Sequence, residues 1–181
     1  MRVDQTGDWH PFLGKIEPRP VIPEIDTTKK RFEQYQPFIF SEDTITNRTR
    51  IFMAVPASPA GWQTGMFIGE ISPGYLWGFG EMNDLPFASE LCVMEPNGHM
   101  LFSTIGVPPE LIEMVTTQHK KGHPRRFFWQ SKNDSYLATS RSLFLEGRFT
   151  VDNWIFTISK SEGQILGAIG YFRTVFPAVI L

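Results

Sequence analysis

The pattern of hydrophobic and polar residues is clearest in a strand–turn–strand unit that begins near residue 90. Residues 91–94 (Leu-Cys-Val-Met) are apolar, and residues 95–98 (Glu-Pro-Asn-Gly) follow them. Pro fixes φ near the value that a turn requires, and Gly accepts the positive φ that other residues avoid. Residues 99–103 return as a second strand-like segment. This pattern predicts a β-hairpin.

The next pattern predicts an α-helix between Pro108 and Gly122. Proline is tolerated in the first turn of a helix, because its missing N–H group would have no intrahelical partner there. Gly122 and Pro124 end the segment. Within it, inward-facing residues recur at spacings of three and four, as in a helix with one buried face. The predicted buried face consists of Leu111, Met114, Val115 and Gln118.

Three further strands are predicted after this helix. Residues 127–130 pair with residues 135–144 across a polar loop, and residues 154–159 form the last strand. The predicted order is therefore strand, strand, helix, strand, strand, strand. Neighbouring strands joined by short loops form an antiparallel sheet, with the helix on one of its faces.

The first half of the chain has weaker patterns. Prolines at positions 11, 18, 20 and 23 exclude a long helix before Asp26 and favour an extended segment. A short helix is predicted up to Gln36, strands over residues 49–55 and 65–71, and a helical turn from Ser72. We expect residues 1–86 to form a reduced module that packs on a second module, residues 87–161.

Residues 91–104 resemble the opening of extracytoplasmic PAS-like domains of the Cache type, a hydrophobic strand, a turn ending in Gly and a strand ending in Ser-Thr. The strand from Trp154, followed directly by a helix, is also similar to such domains. The resemblance is to sensor segments of bacterial membrane signalling proteins, such as diguanylate cyclases and the histidine kinases of two-component systems. Residues 69–78 strengthen it. The resemblance implies an α+β fold with an antiparallel sheet of about five strands and flanking helices.

The last residues, 174–181, are apolar to the end of the chain. We expect residues 162–181 to form a signalling helix that leads into a truncated transmembrane segment. Gly163, Gly167 and Gly170 recur at spacings that would let two such helices pair. Two alternatives stay open: these glycines simply weaken the helix, or the apolar end folds back into the core of the same domain.

Composition narrows the possible partners. Hydrophobic residues make up 41% of the chain and charged residues 20%, which indicates a folded protein. The formal charge is −2, with no concentrated basic face, so we expect no nucleic-acid partner. The single cysteine, Cys92, excludes an internal disulfide and a zinc site built from several cysteines.

The commonest nucleophile and phosphate-binding signatures are absent from the sequence. There is no Gly-x-Ser-x-Gly elbow and no Walker loop. His119 and His123 have metal-ligand spacing, but no third ligand accompanies them and Gly122 interrupts the helix. We therefore expect no enzyme activity, no cofactor and no metal site in this chain.

A ligand pocket between sheet and helix is what the PAS-like resemblance implies. Aromatic and polar residues alternate along the strands that follow the helix, as a small polar ligand would require. An arginine could hold a carboxylate there. The candidate ligand-binding residues are Arg126, Trp129, Tyr136 and Arg141. The alternative is that the aromatic residues belong to the core and the arginines to the surface.

The function that these observations favour is ligand sensing. The chain would be a periplasmic (extracytoplasmic) input domain, anchored in the inner membrane through its C-terminal helix and forming a homodimer in the full-length protein. Ligand binding would shift that helix and so control a cytoplasmic output domain outside this chain. One alternative is a self-contained soluble α+β protein, such as a small enzyme, with no membrane link. Another is a structural periplasmic module that dimerises and binds no small molecule.

Overall fold

The chain divides into two compact units, each with its own sheet and core. The units are Met1–Asn83 with Phe144–Asn153, and Asp84–Leu143 with Trp154–Leu181. The computed structural model describes residues 1–4, 8–10, 18–23, 36–44, 48–77, 89–121, 126–131, 134–145, 148–149 and 151–167. The segment Phe144–Asn153 groups with the first unit, and the domain boundary near residue 86 stays a prediction.

The described part of the first unit contains one antiparallel sheet of five strands, in the order β2-β1-β5-β4-β3. The sequence predicted two of these strands, β4 and β5, and the helical turn that follows them. The elements are β1 (Arg2–Val3), β2 (Trp9–His10), β3 (Phe38–Asp43), β4 (Thr49–Pro56), a 3-10 turn (Trp62–Thr64), β5 (Met66–Ile71) and α1 (Pro73–Leu76).

One face of the first sheet carries an aromatic core. Phe52 is fully buried in β4, and alternation along the strand places Ala54 on the same face. Phe40 stacks on Phe52 with 5.2 Å between ring centroids, and Phe38 stacks on Phe40 at 5.5 Å. Val3 and Ile68 complete the buried cluster.

The second unit follows the predicted order of elements. Its sheet is antiparallel, with five described strands in the order β7-β6-β10-β9-β8. The predicted α+β fold is confirmed, as are the hairpin, the helix and the three strands after it. The elements are β6 (Glu90–Met94), β7 (Met100–Ser103), α2 (Pro109–Lys121), β8 (Arg126–Ser131), β9 (Asp134–Leu143) and β10 (Trp154–Ser161), with helical residues 162–167 (α3) directly after β10.

The two sheets have the same topology. Counted within each unit, the order across the sheet is second, first, fifth, fourth and third strand. The chain therefore repeats one five-stranded arrangement twice. The short strands β1 and β2 complete the first copy, although neither is long enough to carry a hydrophobic period.

The membrane helix expected from the sequence falls largely outside the described residues. Within the described part of the chain, no helix has the length and apolar character needed to cross a bilayer. Residues 168–181 are not described, so both the membrane segment and the folded-back alternative stay predictions.

The turn between β6 and β7 depends on Gly98. Its N–H donates to the carbonyl oxygen of Glu95 at 2.9 Å, and its φ is 94°. A Cβ at this position would lie 3.0 Å from Cγ2 of Ile112 and 3.3 Å from Cγ2 of Thr116, both on α2. The turn thus combines a positive φ with a close approach to the helix.

We expect Gly98→Ala to destabilise the protein by about 1–3 kcal/mol, because it adds backbone strain and a steric conflict with α2. Gly106→Ala is the matched control, since Gly106 also has a positive φ (81°) but no atom within 4 Å of an added Cβ. Chemical denaturation of the two variants separates the two effects. Equal losses in both would show that the contact with α2 contributes nothing.

Candidate ligand-binding site

The face of the second sheet that α2 covers combines an apolar base with polar side chains. Leu111 and Val115 of α2 are buried against this face, as the helix pattern predicted. Met94, Phe127 and Ile155 supply apolar area from the sheet. Polar residues interrupt this base along β8, β9 and β10.

Trp129 and Tyr136 form an aromatic pair at this face. They lie directly opposite each other on β8 and β9, and their rings stack with 4.5 Å between centroids. Trp129 is buried, and its Nε1–H donates to Oγ of Ser159 at 3.1 Å. Tyr136 is half-buried, and its phenol forms no hydrogen bond with a described residue.

A row of buried hydroxyl groups runs along β10. Thr157, Ser159 and Ser161 occupy alternate positions and are 0%, 1% and 7% exposed. Thr157 Oγ1 lies 2.8 Å from Oγ of Ser140, and Ser161 donates to Oδ2 of Asp134 at 2.6 Å. Polar groups usually reach the interior only when hydrogen bonds compensate for lost water.

These hydroxyl groups retain unused hydrogen-bonding capacity. A hydroxyl can donate one hydrogen bond and accept two. Ser159 accepts from Trp129, and no described group accepts the Ser159 proton. The Thr157–Ser140 pair shares one hydrogen bond, which leaves one of its two protons for another acceptor. Together with the Tyr136 phenol, these groups could bind a small polar molecule beside the stacked rings.

The structure separates the four predicted ligand-binding residues. Trp129 and Tyr136 lie on the face toward α2. Arg126 pairs in register with Thr139, and Arg141 with Phe156, so both arginines lie on the opposite face, where they are exposed. Residues an odd number of positions apart on one strand face opposite sides of the sheet. The structure therefore does not bring an arginine clamp to the aromatic pair.

The hydroxyl row on β10 was missed by the sequence analysis. Its signal in the sequence is polar residues at every second position from Thr157 to Ser161. The same alternation is typical of a strand with one solvent-facing side. Only the structure shows that the polar side of this strand is the buried one, since Ile158 between them is 50% exposed.

Arg50 is the centre of a separate charged cluster on the first sheet. Its Nε donates to Oε1 of Glu70 at 3.0 Å and its Nη2 to Oε2 at 2.7 Å. Its Nη1 donates to the carbonyl oxygen of Pro18 at 2.8 Å and lies 3.8 Å from Oε2 of Glu42. The guanidinium also lies 4.8 Å from the ring centroid of Phe52.

This cluster fixes residues 18–23 to the sheet. Glu42 accepts the N–H of Val21 at 3.2 Å, and Ile22 packs against the aromatic core. The pKa of Arg50 is raised, mainly by the hydrogen bond with Glu70, whereas partial burial acts to lower it. Because Glu70 and Pro18 already hold its guanidinium, we assign Arg50 a structural role.

Cys92 is buried, and its thiol stays protonated at neutral pH. Its Sγ lies 3.2 Å from Oγ of Ser103. Burial raises the pKa of the thiol to about 11, the hydrogen bond with Ser103 opposes this, and the nearby Glu90 charge adds to it. A protonated thiol is a poor nucleophile and a poor metal ligand. The described residues also contain no group of three or more His, Cys, Asp or Glu side chains that could hold a metal ion.

The raised pKa of Cys92 makes stability depend on pH at the alkaline end. The unfolded thiol loses its proton near pH 9 and the folded thiol near pH 11. Its contribution to stability is therefore complete below pH 9 and disappears as the pH rises to about 11. Over this range we expect wild-type protein to lose about 2–3 kcal/mol more stability than Cys92→Ala. Denaturation curves at several alkaline pH values test this, and identical pH slopes would contradict it.

Comparison with solved structures gives this fold a precedent. One match is the ligand-binding domain of the Pseudomonas fluorescens chemoreceptor CtaA in complex with L-isoleucine. The alignment covers 92% of this chain and 70% of the CtaA chain, with a TM-score of 0.55 and 15% sequence identity. Another is the ligand-binding domain of the Pseudomonas aeruginosa PAO1 chemoreceptor PctB in complex with L-Gln. The alignment covers 99% of this chain and 74% of the PctB chain, with a TM-score of 0.56 and 12% sequence identity. The chain has the fold of chemoreceptor ligand-binding domains.

This likeness confirms the Cache-type resemblance at the level of the fold. The PctB domain in complex with L-Arg gives the same result, with a TM-score of 0.55 at 12% identity over 91% of this chain and 71% of that one. At such identities no binding residue can be carried from these receptors to this chain. No protein-family model and no curated protein matches the sequence.

Proposed function

We propose that this chain is the ligand-sensing input domain of a bacterial signal-transduction protein. The observation that carries the proposal is the fold, two sheets of identical strand order matching chemoreceptor ligand-binding domains over nearly the whole chain. These neighbours are receptor domains rather than enzymes, which supports a binding function over a catalytic one. The domain would lie outside the cytoplasm and be anchored in the inner membrane.

The ligand we propose is a small polar molecule of the amino-acid class, bound at the α2 side of the second sheet. The CtaA and PctB domains are bound to L-amino acids in their structures. In this chain Ser159, Thr157 and the Tyr136 phenol offer hydrogen-bonding groups beside the Trp129 ring. Their combination of donors and acceptors suits the carboxylate and amine of such a ligand.

Signal output would use the continuity between β10 and α3. The hydroxyl row lies on β10, and the helix begins directly after Ser161. A ligand that binds more tightly to one position of β10 would shift the population of helix positions by its differential affinity. A homodimer formed through this helix would pass the change to an output domain, for which a diguanylate cyclase or a histidine kinase is the proposed type.

A thermal-shift screen of the purified protein against the L-amino acids tests the proposal. A ligand that binds only the folded protein adds about 2.7 kcal/mol of stability at a hundred times its Kd, so the melting temperature should rise with ligand concentration. Ser159→Ala should weaken ligand binding by about tenfold, because a hydrogen bond in a buried site is lost. Thr139→Val, on the opposite face of the same sheet, is the control.

Two results would count against this proposal. If no amino acid raises the melting temperature, the ligand class is wrong. If a ligand binds but Ser159→Ala and Thr139→Val behave alike, the site does not lie on the α2 side of the second sheet.

A further inference from the structure

The second sheet has an edge strand that differs from the other edges among the described strands. Sheet edges expose unpaired backbone groups, and natural proteins protect them with short strands or charged residues. β2 has two residues and β7 has four, and the edge strand β3 carries Glu42 and Asp43. β8 has six residues, with Arg126 as its one charged residue and Phe127, Phe128 and Trp129 in succession.

Three large apolar side chains are exposed on the sheet face directed away from α2, one of them on the edge strand itself. Phe128 on β8 is 62% exposed, Ile158 on β10 is 50% exposed and Leu143 on β9 is 43% exposed. Phe128 is therefore exposed beside an open sheet edge, and such an edge is a template for pairing with another chain. We call this surface, with the β8 edge, the outer face.

All charged side chains of the outer face on β8, β9 and β10 are basic. They are Arg126, Arg141 and Lys160, and none of them forms an ion pair or hydrogen bond with a described residue. Arg141 lies two positions along β9 from Thr139, which pairs with Arg126. The two arginines are therefore diagonal neighbours on adjacent strands. A second copy of this face would bring like charges together, whereas an acidic partner would complement them.

We propose that the outer face binds an extended acidic segment of a partner protein, which adds to β8 as a sixth strand. In a sheet, alternate residues of an edge strand direct their N–H and C=O groups away from the sheet, so β8 can pair with such a segment through its backbone. An antiparallel segment would place an apolar residue opposite Phe128. The residue two positions further toward its C-terminus would lie opposite Arg126, where an acid is favoured. The recognised pattern is apolar–x–acidic.

This surface is separate from the proposed ligand site, because it uses the opposite face of the same sheet. The probe is a blocked, fluorescein-labelled peptide, Thr-Ile-Thr-Glu-Thr-Ile-Thr-Glu, titrated into the full chain. We expect saturable binding that weakens as salt is added. The same peptide with Lys in place of Glu should not bind. Arg126→Glu should weaken binding by roughly fivefold to tenfold. Lys120→Glu, an exposed residue on α2 with the same change in charge, should leave binding unchanged.

Backbone N-methylation of the peptide distinguishes strand addition from simple charge attraction. Two peptides are needed, one N-methylated at the odd-numbered residues and one at the even-numbered residues. The peptide whose methyl groups replace the N–H groups that face β8 should not bind, and the other should still bind. Melting temperatures of the variants near that of wild type establish that each is folded.

Several results would overturn this inference. The inference is wrong if the peptide does not bind at millimolar concentration, if the Glu and Lys peptides bind equally well, or if both N-methylated peptides bind equally well. Binding of phosphatidylglycerol vesicles in place of the peptide, abolished by Phe128→Ser, would assign the surface to a membrane. Self-association abolished by the same substitution would assign it to a second copy. In each of these cases the proposed sensing function still stands if an amino acid raises the melting temperature of the Arg126→Glu variant as it does that of wild type.

Discussion

Trp129→Ala is expected to cost about 3–5 kcal/mol of stability, because it removes a large side chain that is 4% exposed and leaves a cavity in the second core. It also removes the stacking partner of Tyr136 and the Nε1–H donor to Ser159. The melting temperature should fall by about 6–20 °C for a chain of this size. Thermal and urea denaturation both measure the effect.

Trp129→Phe separates packing from hydrogen bonding at this position. Phenylalanine retains an aromatic ring that can stack on Tyr136 but cannot donate to Ser159, so we expect a loss of about 1–2 kcal/mol. If Trp129→Phe were as damaging as Trp129→Ala, the retained ring would contribute nothing and the hydrogen bond to Ser159 would account for the loss. If both were neutral, Trp129 would not belong to the core of the second unit.

The second large effect is expected at Arg50. Arg50→Ala removes a bidentate ion pair with Glu70 and the hydrogen bond to Pro18 that fixes residues 18–23. The Arg50 side chain is 10% exposed and that of Glu70 is 40% exposed, so solvent partly screens the pair. We therefore expect a loss of about 2–3 kcal/mol, below the cost of breaking a fully buried pair.

Two further variants give this prediction its controls. Arg50→Lys keeps the charge but cannot form two parallel hydrogen bonds with Glu70, so it should recover only part of the loss. Arg48→Ala, an exposed arginine two residues away, should change stability by less than about 0.5 kcal/mol. Full recovery by lysine would show that only charge matters, and a neutral Arg50→Ala would contradict the structural role.

The second unit was predictable because its elements have strong local signals. Pro108 and Gly122 mark the limits of the helix in the sequence, Pro96 and Gly98 define the hairpin turn, and β8 contains a run of aromatic residues. These signals depend on neighbouring residues in the chain, so a single sequence contains them.

The first unit was less predictable because its sheet depends on contacts between distant segments. Strands β1 and β2 have two residues each, too few to show any periodicity. Strand β3 carries polar residues from Ser41 onward, and the sequence suggested a helix just before it. Its place beside β4 follows from the pairing of Phe40 with Phe52, which no local pattern reveals.

The candidate ligand-binding site was predictable only where it depends on local sequence. Aromatic residues on β8 and β9 pointed to Trp129 and Tyr136, which do meet on the α2 side. Alternation along β8 already separated Arg126 from Trp129, yet both were included in one site because an arginine suits a carboxylate ligand. The hydroxyl row on β10 needs the burial of Ser159 to be recognised, and burial is a property of the fold.

The most direct test of the sensing account is the indole N–H signal of Trp129 in a ¹H–¹⁵N NMR spectrum during titration with an L-amino acid that raises the melting temperature. The chain has five tryptophans, and Trp129→Phe identifies the signal. The account predicts that this signal and the amides of Thr157 and Ser159 shift together and saturate with the ligand. Shifts confined to the first sheet, or none at any of these positions, would contradict it.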